Sequence, residues 1–280
     1  MPAPSPIGVR NVAREKLEQN RLSLGVGVRM TRSVEIAKAM AVAGFDWLFL
    51  DMEHGVMSLE ACAQISTAAL DAGIAPIARV PNGEYAIATR ALDNGALGIV
   101  MPHVDTAKEA RRIAEAFRYP PQGRRSWGGP PAVYGFRPPA MAEAQKAIND
   151  EILTVVMIES PMAVKNAADI AAVDGIDVLL IGTSDLSSEL GIAGQMGHPK
   201  LINAYATVGA ACKKHGKVLG MGGVYDEENA SRYVGMGARF VLTGSDHSYI
   251  VMGANARSGF FTGLPRAAET PGNKRKRAKG

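Results

Sequence analysis

Cysteine is scarce in this chain, and the scarcity narrows the possible classes of protein. The 280-residue sequence has two cysteines, Cys62 and Cys212, and both lie in segments with helical patterning. Two separated cysteines cannot build a disulfide framework or a cysteine-rich metal site, so small buried side chains are expected. The near absence of cysteine favours an intracellular, cytoplasmic protein.

Long apolar runs are also missing. No stretch approaches the roughly 18 consecutive apolar residues that a membrane-spanning helix needs. The first 16 residues, MPAPSPIGVRNVAREK, show no apolar signal-peptide region. We therefore expect no membrane partner.

Strong charge is absent from most of the sequence. The formal net charge is +4, but residues 265–280 hold six Lys/Arg and one acid, so the remaining chain has a net charge of −1. A near-neutral body predicts no nucleic-acid surface. The composition of the tail predicts disorder. Its KRKRAK run is typical of a nuclear address or a polyanion contact, or of a solvated tail with neither role.

What the sequence does contain is a regular alternation of strand-like and helix-like segments. Eight short apolar runs have strand character, at 24–28, 46–51, 75–80, 98–104, 153–160, 178–182, 218–224 and 239–246. Amphipathic helical patterns separate them, which predicts a parallel sheet. Eight units favour closure into a (β/α)8 TIM barrel, with an open sheet as the alternative. We predict a lead-in helix within 1–21, a barrel domain over 22–264 and a basic tail over 265–280.

One segment interrupts the alternation. Residues 120–152 are too long for an ordinary connection between a helix and a strand, and they hold six prolines and the aromatic residues Trp127, Tyr134 and Phe136. A long loop with aromatic side chains is typical of a lid or binding loop. The alternative is a packing excursion at the barrel rim.

Polar side chains follow most of the predicted strands. Because the C-terminal ends of barrel strands meet at one mouth, we expect these residues to lie together. They are Asp51, His54, Arg79, His103, Glu159, Asp185 and Asp246. A single strand-end carboxylate can simply cap a helix, and a single histidine can be a satisfied core residue. A buried arginine such as Arg79 requires a facing carboxylate or an anionic ligand.

The set as a whole has a recognisable chemistry. Two carboxylates with open positions suit Mg²⁺ or Mn²⁺ better than a structural Zn²⁺, which takes more protein ligands. An arginine beside a metal stabilises a developing oxyanion, and a histidine paired with Asp51 suits proton transfer. Backbone N–H groups from Gly182 to Asp185 can hold a carboxylate. Together these groups predict a site that forms and holds an enolate.

The motifs resemble one enzyme family over residues 22–260. FDWLFLDMEHG, ARVP, VMPHVDTAKEARRIAEAFRYPPQGRRS, MIES and IGTSDLSSELG are similar, in order and spacing, to the HpcH/HpaI aldolase and citrate lyase family. The resemblance implies a (β/α)8 barrel that forms homo-oligomers, trimers or hexamers, in which the last helix exchanges between neighbours. It also implies a divalent metal, Mg²⁺ or alternatively Mn²⁺ or Co²⁺.

Roles for individual residues follow from the resemblance. It implies that Glu159 and Asp185 bind the metal and that Arg79 contacts the keto or enolate oxygen of pyruvate. His54 would transfer protons, with Asp51 and Asp93 near it. The substrate carboxylate would lie at Gly182, Thr183 and Ser184.

Two departures from the bacterial aldolases indicate a particular branch of the family. His103 replaces a generally apolar residue, and Ser126-Trp127 replaces a glycine-containing turn. Both features resemble a fungal branch that decarboxylates oxaloacetate and adds the pyruvate enolate to a 2-pyrone. We therefore predict a metal-dependent lyase acting on a 2-oxo acid such as oxaloacetate or pyruvate, with His103 and Trp127 contacting an aldehyde or pyrone acceptor.

Three alternatives stay open at this point. The first is an aldolase that cleaves a 4-hydroxy-2-oxo acid to pyruvate and an aldehyde. The second is the branch that acts on acyl-CoA enolates. The third is a non-catalytic barrel that acts as a binding protein.

Overall fold

The computed structural model describes residues 8–264 and consists of one closed parallel barrel. Neighbouring strands pair in sequence order, and the last strand closes onto the first. The strands are β1 Ser23–Val28, β2 Trp47–Asp51, β3 Ala75–Arg79, β4 Gly98–Met101, β5 Leu153–Ile158, β6 Val178–Gly182, β7 Val218–Gly222 and β8 Phe240–Ser245. The predicted (β/α)8 barrel is confirmed, with all eight strands within a few residues of their expected positions.

Helices connect the strands on the outside of the barrel. They are α1 Val12–Glu18, α2 Glu35–Val42, α3 Leu59–Ala72, α4 Tyr85–Asp93, α5 Ala107–Phe117, α6 Met141–Glu151, α7 Pro161–Lys165, α8 Ala167–Ala171, α9 Thr183–Glu189, α10 Pro199–His215, α11 Glu227–Gly235 and α12 Asp246–Thr262. Local sequence sets their ends. Thr106 and Glu109 form a reciprocal capping box at the start of α5, and Gly73 and Gly216 end α3 and α10 in left-handed conformations.

Large side chains fill the barrel interior. Trp47 stacks on Phe240 with ring centroids 3.9 Å apart, and both are fully buried. Gly25 makes room for this pair, because a Cβ there would lie 2.1 Å from Trp47 Cε2. The interior is therefore a packed core and not a channel, and a reaction site is expected at the C-terminal ends of the strands.

The lead-in helix α1 covers the N-terminal end of the barrel. The Asn11 amide donates to the carbonyls of Leu97 and Glu151, at 3.0 and 2.9 Å. Arg14 donates to the carbonyls of Glu151 and Ile152 and pairs with Asp177 at 2.8 Å. These contacts hold α1 against the ends of several strands, so this end of the barrel is closed.

The prediction of one long loop over residues 120–152 was wrong in part, because the segment contains regular structure. Residues 132–134 form a 3₁₀ turn and Met141–Glu151 form α6, whose Ala144 and Ile148 are buried at helical spacing. The segment leaves the end of α5, and a helix in this fold returns the chain to the start of the next strand. It therefore lies at the N-terminal end of the barrel, as a packing excursion and not as a lid over this chain's mouth.

The last helix has little contact with the rest of the chain. Residues 251–264 are exposed throughout, although they include large apolar side chains. The exposed apolar residues of this region are Ile250, Val251, Met252, Phe260, Phe261 and Leu264. No helix within residues 8–264 is long and apolar enough to cross a membrane. The predicted basic tail, residues 265–280, lies outside the described residues, and the predicted domain limits stay a prediction.

Candidate active site

The mouth of the barrel contains a cavity of about 280 Å³. Its lining includes the ionisable residues Arg29, His54, Arg79 and Asp185. Gly182, Thr183 and Ser184 form part of the same wall. The structure thus brings together at one cavity residues that follow the first, second, third and sixth strands.

Asp51 and Arg79 form a buried ion pair at the base of the mouth. Arg79 donates from Nε to Asp51 Oδ1 at 3.0 Å and from Nη2 to Oδ2 at 2.6 Å. The backbone N–H groups of Glu53 and His54 also donate to Asp51 Oδ1. Burial opposes ionisation of Asp51, but the contacts with Arg79 and these other donors outweigh it and lower the pKa to about 2. Asp51 is therefore an anion that orients Arg79.

Arg79 keeps one end of its guanidinium near the cavity. Its Nη1 lies 3.1 Å from Glu53 Oε2 without hydrogen-bond geometry and contacts the Met157 sulfur at 4.0 Å. The guanidinium also lies 4.8 Å from the Phe49 ring centroid. A buried arginine with an incompletely used donor is suited to an anionic ligand.

Glu159 is a buried carboxylate with few partners. Its side chain is almost entirely buried and accepts one hydrogen bond, from the backbone N–H of His103 at 2.9 Å. The His103 ring nitrogen Nδ1 lies 3.3 Å from the same oxygen. Gly182 makes this placement possible, because a Cβ there would lie 2.4 Å from Glu159 Oε1. Burial, together with the nearby charge of Asp185, raises the pKa of Glu159 to about 7.

Asp185 projects from the first turn of α9 into the cavity. It makes no hydrogen bond or ion pair with any residue between 8 and 264, which rules out the capping role considered from sequence. Within the same range, no group of three or more His, Cys, Asp or Glu side chains is arranged to hold a metal ion. Two carboxylates, one buried and one unpaired, nevertheless fit Mg²⁺, which keeps its other positions for water and substrate oxygens.

The segment from Gly182 to Ser184 supplies backbone donors. It leads from β6 into α9, so its N–H groups face the end of the strand. The Thr183 hydroxyl is already engaged, at 2.7 Å from the Tyr205 hydroxyl. Only the backbone and the exposed Ser184 side chain are therefore available to a ligand carboxylate.

The two predicted histidines lie on opposite sides of Glu53. The ring of His54 is half exposed, 3.6 Å from Glu53 Oε2, and the ring of His103 is 3.9 Å from Oε1. His103 adopts a left-handed backbone conformation, with φ of 50°. His103, which we predicted to contact the acceptor, also contacts Glu159 through both its backbone N–H and its ring.

Asp93 and Trp127 do not reach the mouth of their own chain. Asp93 is the last residue of α4 and pairs with Arg125 at 2.7 Å. Trp127 packs beside Tyr119, with ring centroids 5.6 Å apart. Asp93 ends α4 and Trp127 follows α5, and the C-terminal ends of these helices lie at the opposite end of the barrel from the C-terminal ends of the strands. Within one chain, the expected contacts of Asp93 with His54 and of Trp127 with substrate are therefore absent.

Sequence reasoning left out two residues of the site, Glu53 and Arg29. Glu53 lies between both histidines and Arg79, and its place in DMEHG was a usable signal. Arg29 directly follows β1 and donates from Nε to Asp51 at 2.7 Å. Asp246, which we considered for the mouth, instead accepts backbone hydrogen bonds from residues 29–31.

The sequence profile of the HpcH/HpaI aldolase/citrate lyase family matches residues 30–252. The chain belongs to this family. It is 36% identical over 253 residues to a 4-hydroxy-4-methyl-2-oxoglutarate aldolase of Hapsidospora irregularis, an alignment that covers 89% of this chain and 93% of the relative. The family and this relative are carbon–carbon lyases, so the chain is a lyase of the aldolase type and not a non-catalytic barrel.

Solved structures agree with this assignment. An HpcH/HpaI aldolase from Desulfitobacterium hafniense DCB-2 superposes with a TM-score of 0.85 at 31% identity, covering 90% of this chain and 97% of the other. Macrophomate synthase superposes with a TM-score of 0.75 at 26% identity, covering 93% and 92%. Macrophomate synthase belongs to the fungal branch that the sequence motifs resemble, so this likeness is present in the fold as well.

Proposed function

We propose that this enzyme cleaves a 4-hydroxy-2-oxo acid to pyruvate and an aldehyde through a pyruvate enolate. One observation carries the proposal. Arg79, held by Asp51, lines the same cavity as the unpaired Asp185, and the buried Glu159 lies directly behind Gly182 of the cavity wall, an arrangement suited to a divalent ion and a developing oxyanion. The relative from Hapsidospora irregularis supports the choice of substrate class, because it is named for a 4-hydroxy-2-oxo dicarboxylic acid.

The residues of the site divide the work between binding and proton transfer. Backbone N–H groups of Gly182 to Ser184 hold the C1 carboxylate, and Arg79 donates to the oxygen on C2. Glu159 and Asp185 would hold Mg²⁺, with Mn²⁺ or Co²⁺ as substitutes, and the bound ion would polarise the 2-oxo group as a Lewis acid.

Bond cleavage begins at the C4 hydroxyl. His54, directly or through water, takes the hydroxyl proton, the C3–C4 bond breaks, and its electron pair enters the C2–C3 bond as the enolate. The aldehyde leaves, and a proton delivered to C3 completes pyruvate. Asp51 contributes by fixing Arg79 and, through its bond with the His54 N–H, the segment that carries His54.

The test is release of pyruvate from a small panel of 4-hydroxy-2-oxo acids with and without Mg²⁺ or Mn²⁺. We expect activity to vanish after exhaustive chelation and to return with the metal. Glu159→Gln should bind the metal poorly, whereas Glu189→Gln, an exposed acid at the end of α9, should behave as the wild type. Full activity of the chelated protein would refute the proposal.

Decarboxylation of oxaloacetate is the second candidate, and sequence analysis had placed it first. The likeness to macrophomate synthase and the position of His103 beside Glu159 favour it. Decarboxylation leaves no hydroxyl to deprotonate, so His54→Ala should slow retro-aldol cleavage far more than oxaloacetate decarboxylation. Equal losses in both reactions would show that His54 does not act on the C4 hydroxyl.

We also propose that the enzyme is a homo-oligomer. The apolar residues of α12, among them Phe260 and Phe261, are exposed on a helix that barely touches its own barrel. Exchange of this helix between neighbouring chains would cover them. Solution mass measurement checks the idea, and a monomer at micromolar concentration would refute it.

A further inference from the structure

Arg29 brings a second guanidinium to the mouth, and most of its donors are unused. It lines the same cavity as Arg79 and Asp185. It reaches Asp51 through Nε alone, at 2.7 Å, and its side chain is 38% exposed. Within residues 8–264, neither Nη of Arg29 donates a hydrogen bond. The two Nη groups of a guanidinium form a fork that matches a carboxylate.

Asp51 does not require this second arginine. Arg79 already donates to both of its oxygens, and two backbone N–H groups complete the set. Pairing with Asp51 therefore leaves both Nη groups of Arg29 unused. Unused donors of a cation that lines a cavity are suited to an anionic group of a ligand.

The backbone around Arg29 is fixed in place. The carboxylate of Asp246 accepts hydrogen bonds from the N–H groups of Arg29, Met30 and Thr31, at 3.1, 3.0 and 2.7 Å. Arg32 Nη1 donates to the Arg29 carbonyl at 3.0 Å. A guanidinium on an ordered segment loses less conformational entropy when it binds, which strengthens recognition.

We propose that Arg29 binds a second, distal carboxylate, so that the enzyme selects dicarboxylic 2-oxo acids over those that end in an apolar group. The inference rests on the proposed function, which places the C1 carboxylate at Gly182 to Ser184 and the 2-oxo group at Arg79. Asp51 contacts both arginines, so Arg29 and Arg79 flank one carboxylate. Arg79 serves the reacting end of the substrate, and Arg29 serves the far end.

Binding tests this selectivity without any turnover. The probes are 2-oxoglutarate and 2-oxopentanoate, which have the same chain length and differ by a distal carboxylate in place of a methyl group. Titration calorimetry with Mg²⁺ should show that the wild type binds 2-oxoglutarate about 10- to 100-fold more tightly, the value of a charge-assisted contact. Arg29→Met should abolish this preference. Arg111→Met, at an exposed arginine of α5 that has no part in the site, is the matched control and should keep it.

Turnover provides the second measurement. Retro-aldol cleavage of 4-hydroxy-2-oxoglutarate and of 4-hydroxy-2-oxopentanoate breaks the same C3–C4 bond and gives pyruvate with glyoxylate or acetaldehyde. Arg29→Met should lower kcat/KM about 10- to 100-fold for the first substrate only. Deuterium exchange into the methyl group of pyruvate, which has no distal carboxylate, should be unchanged.

The outcomes separate the two proposals. Equal binding of both probes by the wild type, or a preference that survives Arg29→Met, would overturn the role of Arg29. Equal loss for both substrates, together with slower methyl exchange, would show that Arg29 acts only through Asp51 and would also overturn it. Failure of the wild type to release pyruvate from either substrate would refute the proposed function, while the binding comparison would still decide the role of Arg29.

Discussion

The two ends of the barrel both hold arginine–carboxylate clusters, yet only one end has the properties of a reaction site. At the N-terminal end, Asp177 accepts from Arg14, Arg118 and the Thr154 N–H. The same arginines also donate to backbone carbonyls. At the mouth, Arg79 and Arg29 share Asp51, but Glu159, Asp185 and several guanidinium donors have few or no partners.

Cavity size does not distinguish the two ends. A groove of about 420 Å³ beside Arg14 and Asp177 is larger than the mouth cavity of about 280 Å³. What differs is how far the charged side chains are paired by the protein itself. Asp177 has three donors, and Arg118 uses both of its Nη groups, although its Nε has no partner within residues 8–264. Charges that the fold satisfies stabilise the fold, and charges that it leaves incompletely satisfied are available to a ligand.

Loss of Arg79 should cause the largest effect and should appear in rate. Removal of one oxyanion contact typically costs about 10²- to 10³-fold, so Arg79→Ala should lower both pyruvate release and methyl exchange by that factor. Steady-state kinetics and exchange measured by NMR check this prediction. Arg79→Lys, which keeps the charge and loses the fork, should recover only part of the activity. A loss below tenfold would remove Arg79 from the enolate-stabilising role.

Much of this comparison could be predicted from sequence. The alternation of apolar runs and helical patterns predicted the barrel, and strand-end position alone grouped Asp51, His54, Arg79, Glu159 and Asp185. The hydrophobic period predicts the strands and helices. The strand-end position predicts the site, because all parallel strands of a barrel end at the same mouth.

Other features depend on three-dimensional placement that no local pattern encodes. Asp93 matches the family motif, but α4 runs away from the mouth and places Asp93 at the N-terminal end of the barrel of its own chain. The partial pairing of Arg29 depends on the orientation of its side chain toward Asp51, which is 22 residues away in the sequence. The α6 helix was not predicted because a proline-rich stretch precedes it and its amphipathic pattern extends over only 11 residues.

Loss of Arg118, in contrast to loss of Arg79, should lower the free energy of unfolding and leave the reaction rate unchanged. Arg118 is buried and pairs with Asp177, so Arg118→Met removes one of the donors to Asp177 and leaves two carbonyls without this donor. The free energy of unfolding should fall by about 2 to 4 kcal/mol, measured by urea denaturation. Arg111→Met, on the exposed face of the same helix, should change neither quantity. A rate loss comparable with that of Arg79→Ala would break the distinction between the two ends.

The smallest expected effect is a pH dependence of the free energy of unfolding, to which Asp51 and Glu159 contribute in opposite directions. The pKa of Asp51 is lowered to about 2, so its contribution to stability is present above pH 4 and is lost as pH falls through about 2. The pKa of Glu159 is raised to about 7 by burial and by the charge of Asp185. Its protonated form is therefore favoured in the folded state, and that contribution is present below about pH 4.5 and lost as pH rises through 7.

Metal-free protein should consequently become less stable between pH 5 and 7, by about 2 kcal/mol in the free energy of unfolding. Urea denaturation in chelator measures the change, and Glu159→Gln should remove most of it, because glutamine does not titrate. Mg²⁺ should restore stability at the higher pH, since the ion favours the ionised carboxylate that burial opposes. An equal slope in the wild type and Glu159→Gln would mean that another group titrates. The mouth would then resemble the N-terminal end, with its carboxylates already satisfied by the protein.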